Sequence, residues 1–135
     1  MKNIFTPRGF LQFAALVLFI AGLLSFVFRN GVLPIAGEFW WFDVVEGYVH
    51  LFVAMVALLG SLVLSDKHAR WLVLLIGIGA ILTGLFGLFL PNGPIGTLNT
   101  FGLANLESPA DNVFHLGGGI WALYVFYASR LQSAA

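Results

Sequence analysis

Hydrophobic positions fall in four long runs, about residues 10–28, 44–64, 71–90 and 109–129, parted by short polar or mixed links. None alternates with the period of two that marks a half-buried strand. Each is long enough to cross a bilayer as a helix, which takes about 20 residues at about 1.5 Å rise. Four apolar helices with short links predict an all-α, four-transmembrane-helix bundle, and the whole of 1–135 reads as one integral membrane domain. The first run follows Lys2 and Arg8 as a signal peptide would. Its apolar stretch is longer than the usual core of such a leader, and Ala36 and Gly37 make a weak cleavage site, so it is read as a span.

Composition sharpens this picture. With 60% hydrophobic and 9% charged residues, the chain lacks the charge to cover a water-exposed surface. Cysteine is absent, which excludes disulfides and thiolate metal sites. The net charge is zero and no basic run occurs, so nucleic acid is excluded as a partner class and the lipid bilayer takes its place.

The basic residues set an orientation. Lys2 and Arg8 precede the first run, Lys67 and Arg70 lie between the second and third, and Arg130 follows the fourth. Only Arg29 lies on the other side. The positive-inside rule then places both termini in the cytoplasm of a bacterial cell, with the protein multi-pass in its cytoplasmic (inner) membrane. Links 29–43 and 91–108 face outward. Phe39-Trp40-Trp41-Phe42 fits an interfacial aromatic belt, and 91–108 is expected to lie along the interface or fold back onto the bundle.

Aligning His50 with His115 reveals an internal repeat. Asp43-Val44-Val45-Glu46 then matches Ser108-Pro109-Ala110-Asp111, Ala54 meets Gly119 and Ala57 meets Ala122, while upstream Phe28-Arg29-Asn30-Gly31 matches Leu90-Pro91-Asn92-Gly93. The chain reads as two tandem helical hairpins, 1–65 and 66–135, inserted in the same direction about an axis along the membrane normal. Spans two and four are then mates, with their histidines at one depth.

Asp43 with Glu46, and Ser108-Pro109 with Asp111, carry helix-start grammar: a cap residue, a carboxylate three positions on and, in the second case, proline at the first turn. Capping is the leading role of Glu46 and Asp111, although each stands four residues before a histidine on the same face and could orient or complete a site. His50 and His115 are less easily explained. Each lies about 10 Å into its helix at about 1.5 Å per residue, inside the hydrocarbon, where an ionisable group should face the bundle interior. Gly47, His50, Ala54, Ala57 and Ser61 form one stripe; Asn112, His115, Gly119, Ala122 and Phe126 form its counterpart. Small residues dominate both, the kind that lets membrane helices approach. Ala21 and Ser25, and Gly79, Thr83 and Gly87, are expected to complete the packed faces of spans one and three.

The leading reading of the pair is structural, a polar link between hairpins in a non-enzymatic membrane protein that stands alone or serves as an accessory subunit of a larger membrane complex. The alternative is a cofactor: His50 and His115 gripping haem or chlorophyll in an electron-transfer or pigment-binding subunit, or a metal ion held with Glu46 and Asp111. A metal-dependent enzyme would need all four to converge, and a proton path or a small-molecule pocket using the same groups is the remaining alternative. His68 reads as a solvated residue of the cytoplasmic link. Gly117-Gly118-Gly119, with no strand before it and no lysine after it, serves close helix packing and is no phosphate loop.

Ala110-Asp111-Asn112-Val113-Phe114-His115-Leu116 with Gly119, together with Val49-His50-Leu51, resembles a family of small bacterial four-span membrane proteins of unknown function. The likeness covers about residues 10 to 130 and implies fold and location without an activity. That family tends to carry asparagine three residues before the first histidine; here the position is Gly47, so the resemblance implies that one imidazole lacks that support.

Overall fold

A computed structural model describes residues 3–28, 31–33, 35, 37–89 and 109–132. Link 91–108, the Ser108 half of the second capping pattern, Lys2 and Arg29 lie outside the described residues. Among those described, four helices dominate: α1 (Pro7–Phe28), α2 (Val44–Val63), α3 (Asp66–Phe89) and α4 (Pro109–Gln132). Two short strands, β1 (Gly31–Leu33) and β2 (Gly37–Phe42), pair antiparallel between α1 and α2. The sequence reading expected no strand there. Val32 and the aromatic run 39–42 favour strand pairing, and this aromatic strand does more than sit at an interface. Trp40 lies 6.4 Å from Phe114 of α4, and Phe42 is buried against Phe28 with ring centroids 5.6 Å apart.

α1, α2 and α3 are long and apolar enough to cross a membrane. α4 is as long as α3 but less apolar, because Asp111, Asn112 and three successive glycines occupy its first half. Outward faces are covered by Leu16, Phe19, Phe52, Leu62, Leu75 and Phe86, all exposed. Such a surface is at home in lipid and would aggregate in water.

The helices pack as two antiparallel pairs, and small residues set how closely each pair approaches. A methyl group added to Gly22 of α1 would stand 2.7 Å from Leu51 Cγ of α2, and one added to Gly47 would stand 2.6 Å from Ser25 Cβ. In the second pair, a methyl on Gly84 would stand 2.7 Å from Leu116 Cγ, and one on Gly77 would stand 2.8 Å from Ala122 Cβ. The packed face of α3 is therefore Ala69, Val73, Gly77, Gly84 and Gly87. Gly79, expected on that face, is exposed and touches nothing there. It and Thr83 line a cavity instead.

One end of the bundle gathers the start of α1, the α2–α3 turn and the end of α4. Arg8 closes it: its Nη2 donates to Leu64 O at 2.6 Å, its Nη1 to Ser61 O at 3.1 Å and its Nε to Asp66 Oδ1 at 2.7 Å. These carbonyls end α2 and have no partner within the helix. Arg70 likewise donates to Ser129 O near the end of α4 at 3.3 Å. Above these arginines lies the tight core, Phe10, Leu11 and Ala15 with Ala57, Val73, Ala122 and Val125. The cavity, lined by residues of all four helices, extends from this core toward the other end.

Candidate functional site

Asp43 starts α2 in an extended conformation, and its Oδ1 accepts from Glu46 N at 2.6 Å. The capping grammar holds, and its consequence is to fix Glu46 in the first turn with its side chain directed inward. Glu46, Gly47, His50, Ala54, Ala57 and Ser61 are all buried, the stripe the small-residue pattern predicts. On α4, Asn112, Gly119 and Ala122 are buried and His115 is nearly so.

The two histidines meet. Their ring centroids are 5.8 Å apart, with planes inclined by 25°. Glu46 Oε1 stands by both, 3.6 Å from His50 Nε2 and 3.9 Å from His115 Nε2. One donor atom from each residue fits within a 4.8 Å set. Asp111 is buried one turn before His115, but its carboxylate is outside that set. It contributes its backbone: its carbonyl takes His115 Nδ1 at 2.8 Å. Since a carbonyl only accepts, Nδ1 carries the proton, and Nε2 presents a lone pair toward Glu46. Of the four residues singled out for a metal, three converge and the fourth orients one of them.

Glu46 Oε1 and both ring nitrogens of His50 are buried without a hydrogen-bond partner. Each such atom costs about 1–3 kcal/mol, more where it is charged. Donors around a tetrahedral zinc ion stand about 3.4 Å apart, given bonds of about 2.0–2.1 Å. Separations of 3.6 and 3.9 Å need only a small contraction to reach that spacing. Two imidazoles and one carboxylate form a donor set suited to Zn²⁺ and its first-row neighbours, and three protein ligands leave one position open.

The cluster borders a cavity of about 840 Å³. Phe10 and Phe13 meet Trp121 edge-to-face below it, with centroids 5.0 and 5.3 Å apart. Val49, Phe52, Leu75 and Val113 line it and are also exposed, so it opens sideways onto the apolar surface. The sequence reading allowed a pocket at these groups but not its extent or lining. Its signal was the glycine run: a methyl on Gly117 or Gly118 meets nothing within 4 Å, whereas one on Gly119 strikes α3. Close packing accounts for Gly119 alone. The reading also missed Arg8, seen only as a topogenic charge, and the indole of Trp121, whose buried Nε1 has no partner. His68 is exposed as expected, within the first turn of α3, and pairs with Ser65 Oγ at 2.8 Å.

Compared with known protein families, curated proteins and solved structures, the chain matches none.

Proposed function

We propose that this chain is a four-span protein of the bacterial cytoplasmic membrane that holds one divalent transition-metal ion between two tandem hairpins. Glu46 and His50 come from the first hairpin and His115 from the second. The observation that carries this reading is the meeting of three buried donors from two halves of the chain, with His115 already held in the tautomer that ligates through Nε2. The ion would neutralise Glu46 and satisfy atoms otherwise left without partners.

Recurring contacts support the two-hairpin reading. Gly22 against Leu51 is answered by Gly84 against Leu116, and Arg8 on Leu64 O by Arg70 on Ser129 O. One constant offset carries α1 positions to α3 and another carries α2 to α4. Arg8, Lys67, Arg70 and Arg130 belong to helix ends on one side, which supports cytoplasmic termini. The protein belongs, on this account, with the four-span family it resembles, acting as a non-enzymatic membrane component that stands alone or within a larger complex.

An ion suits the site better than a macrocycle. A haem or chlorophyll gripped by both imidazoles would pass between the rings, where Glu46 Oε1 stands near both Nε2 atoms. A second reading, a metal-free polar link, draws on the same distances: a slight shift would let His50 Nε2–H donate to Glu46 Oε1, or a protonated Glu46 donate to the His115 Nε2 lone pair. Metal analysis of purified protein, with Glu46→Gln as control, separates the two. One zinc-class ion per chain, lost in the variant, supports the proposal; a folded, metal-free protein that takes up no added Zn²⁺ supports the link.

A further inference from the structure

The Glu46–His50–His115 cluster sits close to one end of the bundle. Glu46 follows the α2 cap Asp43 by three residues, about 5 Å, and the two histidines lie about 10 Å into α2 and α4. Polar side chains gather at that end. Asp43, Glu46, Asp111 and Asn112 are all buried there, and Asp43 and Asp111 stand near enough to act on the charge of Glu46. Toward the other end the path is apolar. From His50 to the end of α2 is about 20 Å. The core across that stretch contains Leu11, Ala57, Val73, Ala122 and Val125, all fully buried, and Ser61 there donates its hydroxyl to Leu58 O at 2.7 Å. The cavity gives no second way in. Its side opening leads to lipid, and beyond the cluster its lining is apolar apart from Trp121 and Thr83, which donates to Gly79 O at 3.0 Å. A divalent ion does not cross such walls, because nothing in them replaces its water.

Among the described residues, the cover at the polar end is the β1–β2 hairpin. β2 runs straight into Asp43 and buries Phe42 against Phe28. It also lays Trp40 6.4 Å from Phe114, whose ring stands perpendicular to that of His115 at 6.3 Å. A ribbon of two short strands with an irregular register after Val32 is weak by itself, and Trp40 on Phe114 ties it to α4. We propose that the ion enters and leaves only at this end, as the hairpin lifts Trp40 from Phe114, so that the protein takes up a divalent transition metal from the extracytoplasmic side and does not conduct it across the membrane. The inference rests on the proposed metal centre, and the side named follows the charge bias of the helix ends.

The test uses the full chain carrying Ile35→Cys, its only thiol, between the two strands. De-energised membrane vesicles of opposite sidedness are prepared from expressing cells, and an impermeant maleimide shows which kind exposes the hairpin end. Radioactive Zn²⁺ is added outside each kind, free ion is removed on a chelating resin, and the chain is captured by affinity tag and counted. A detergent-solubilised sample gives full occupancy. Uptake should match that sample in vesicles that react at position 35 and be nearly absent in the other kind. Stopped-flow Co²⁺ absorbance in detergent tests the hairpin. Trp40→Ala should speed binding and release alike by about two- to ten-fold, the range to which the contact energy of an aromatic pair converts. Band and affinity should stay unchanged, and Trp40→Phe should return both rates close to wild type. Uptake in detergent combined with equal uptake from both sides, or uptake from the opposite side, overturns this inference alone. Unchanged rates in Trp40→Ala also overturn it. No uptake in detergent overturns the metal reading and this inference together.

Discussion

Three adjacent glycines on α4 provide a sharp test of how the second hairpin is packed. Replacing any of them by alanine gains about 1 kcal/mol of helix propensity. Gly117 and Gly118 have no atom within 4 Å of an added methyl, so the gain should be realised at both. At Gly119 the methyl would lie 2.6 Å from Ile81 Cγ1, 3.0 Å from Gly77 O and 3.0 Å from Ile81 N. Ordinary contact begins near 3.4 Å, and two of these atoms are backbone that cannot rotate away. α3 and α4 must then separate, an overpacking cost of about 1–3 kcal/mol. Because the propensity gain is common to all three sites, it cancels in the comparison. Gly119→Ala should thus be less stable than Gly118→Ala by about 1–3 kcal/mol. Unfolding in mixed micelles with rising SDS, followed by circular dichroism, measures the difference. Equal midpoints for the two variants would refute the assigned helix seam.

Other consequences concern the ends of the bundle. Asp43→Ala removes the cap on α2 and should cost about 1 kcal/mol in the same assay, with Asp43→Ser recovering most of it. Arg8→Ala leaves two carbonyls at the end of α2 without their donor and should cost about 1.5–3 kcal/mol. Asp66→Ala should cost less than about 1 kcal/mol, because Asp66 is largely exposed and a surface ion pair contributes little. In intact cells, a membrane-impermeant maleimide should label Ile35→Cys and spare Lys67→Cys; labelling of the second alone would invert the proposed orientation.

Much of this molecule was legible because lipid as solvent makes simple demands. Apolar runs longer than about 18 residues must become helices. The stripe from Gly47 through Ser61 had to be the packed one, since small residues belong at membrane helix contacts. Asp43 and Glu46 announced the start of α2 through residue types that satisfy unpaired backbone N–H groups. The convergence of His50 and His115 followed from the repeat, once both were placed at one depth and turned inward.

What was not legible depends on distances between elements. Glu46 and Asp111 hold matching places in the repeat, yet one presents its carboxylate to both imidazoles and the other its carbonyl to one. Side-chain length and the relative rotation of α2 and α4 decide that, and neither is written in spacing. The extent of the cavity escaped for a similar reason. Glycine that admits a neighbouring helix and glycine that borders open space read alike until the neighbour's position is known, which is why Gly79 was assigned to the wrong face. The β1–β2 hairpin was obscured by its aromatic residues, which suit an interface as well as a strand.

The central claim is that three side chains from two hairpins close on one ion. Titrating the apo protein with Co²⁺ tests it most directly, because tetrahedral cobalt absorbs strongly in the visible range. The account predicts saturation at one ion per chain, competition by Zn²⁺, and loss of the band in His50→Ala, His115→Ala and Glu46→Gln alike. A band that survives any one of those substitutions unchanged, or no band in folded wild type, would contradict it.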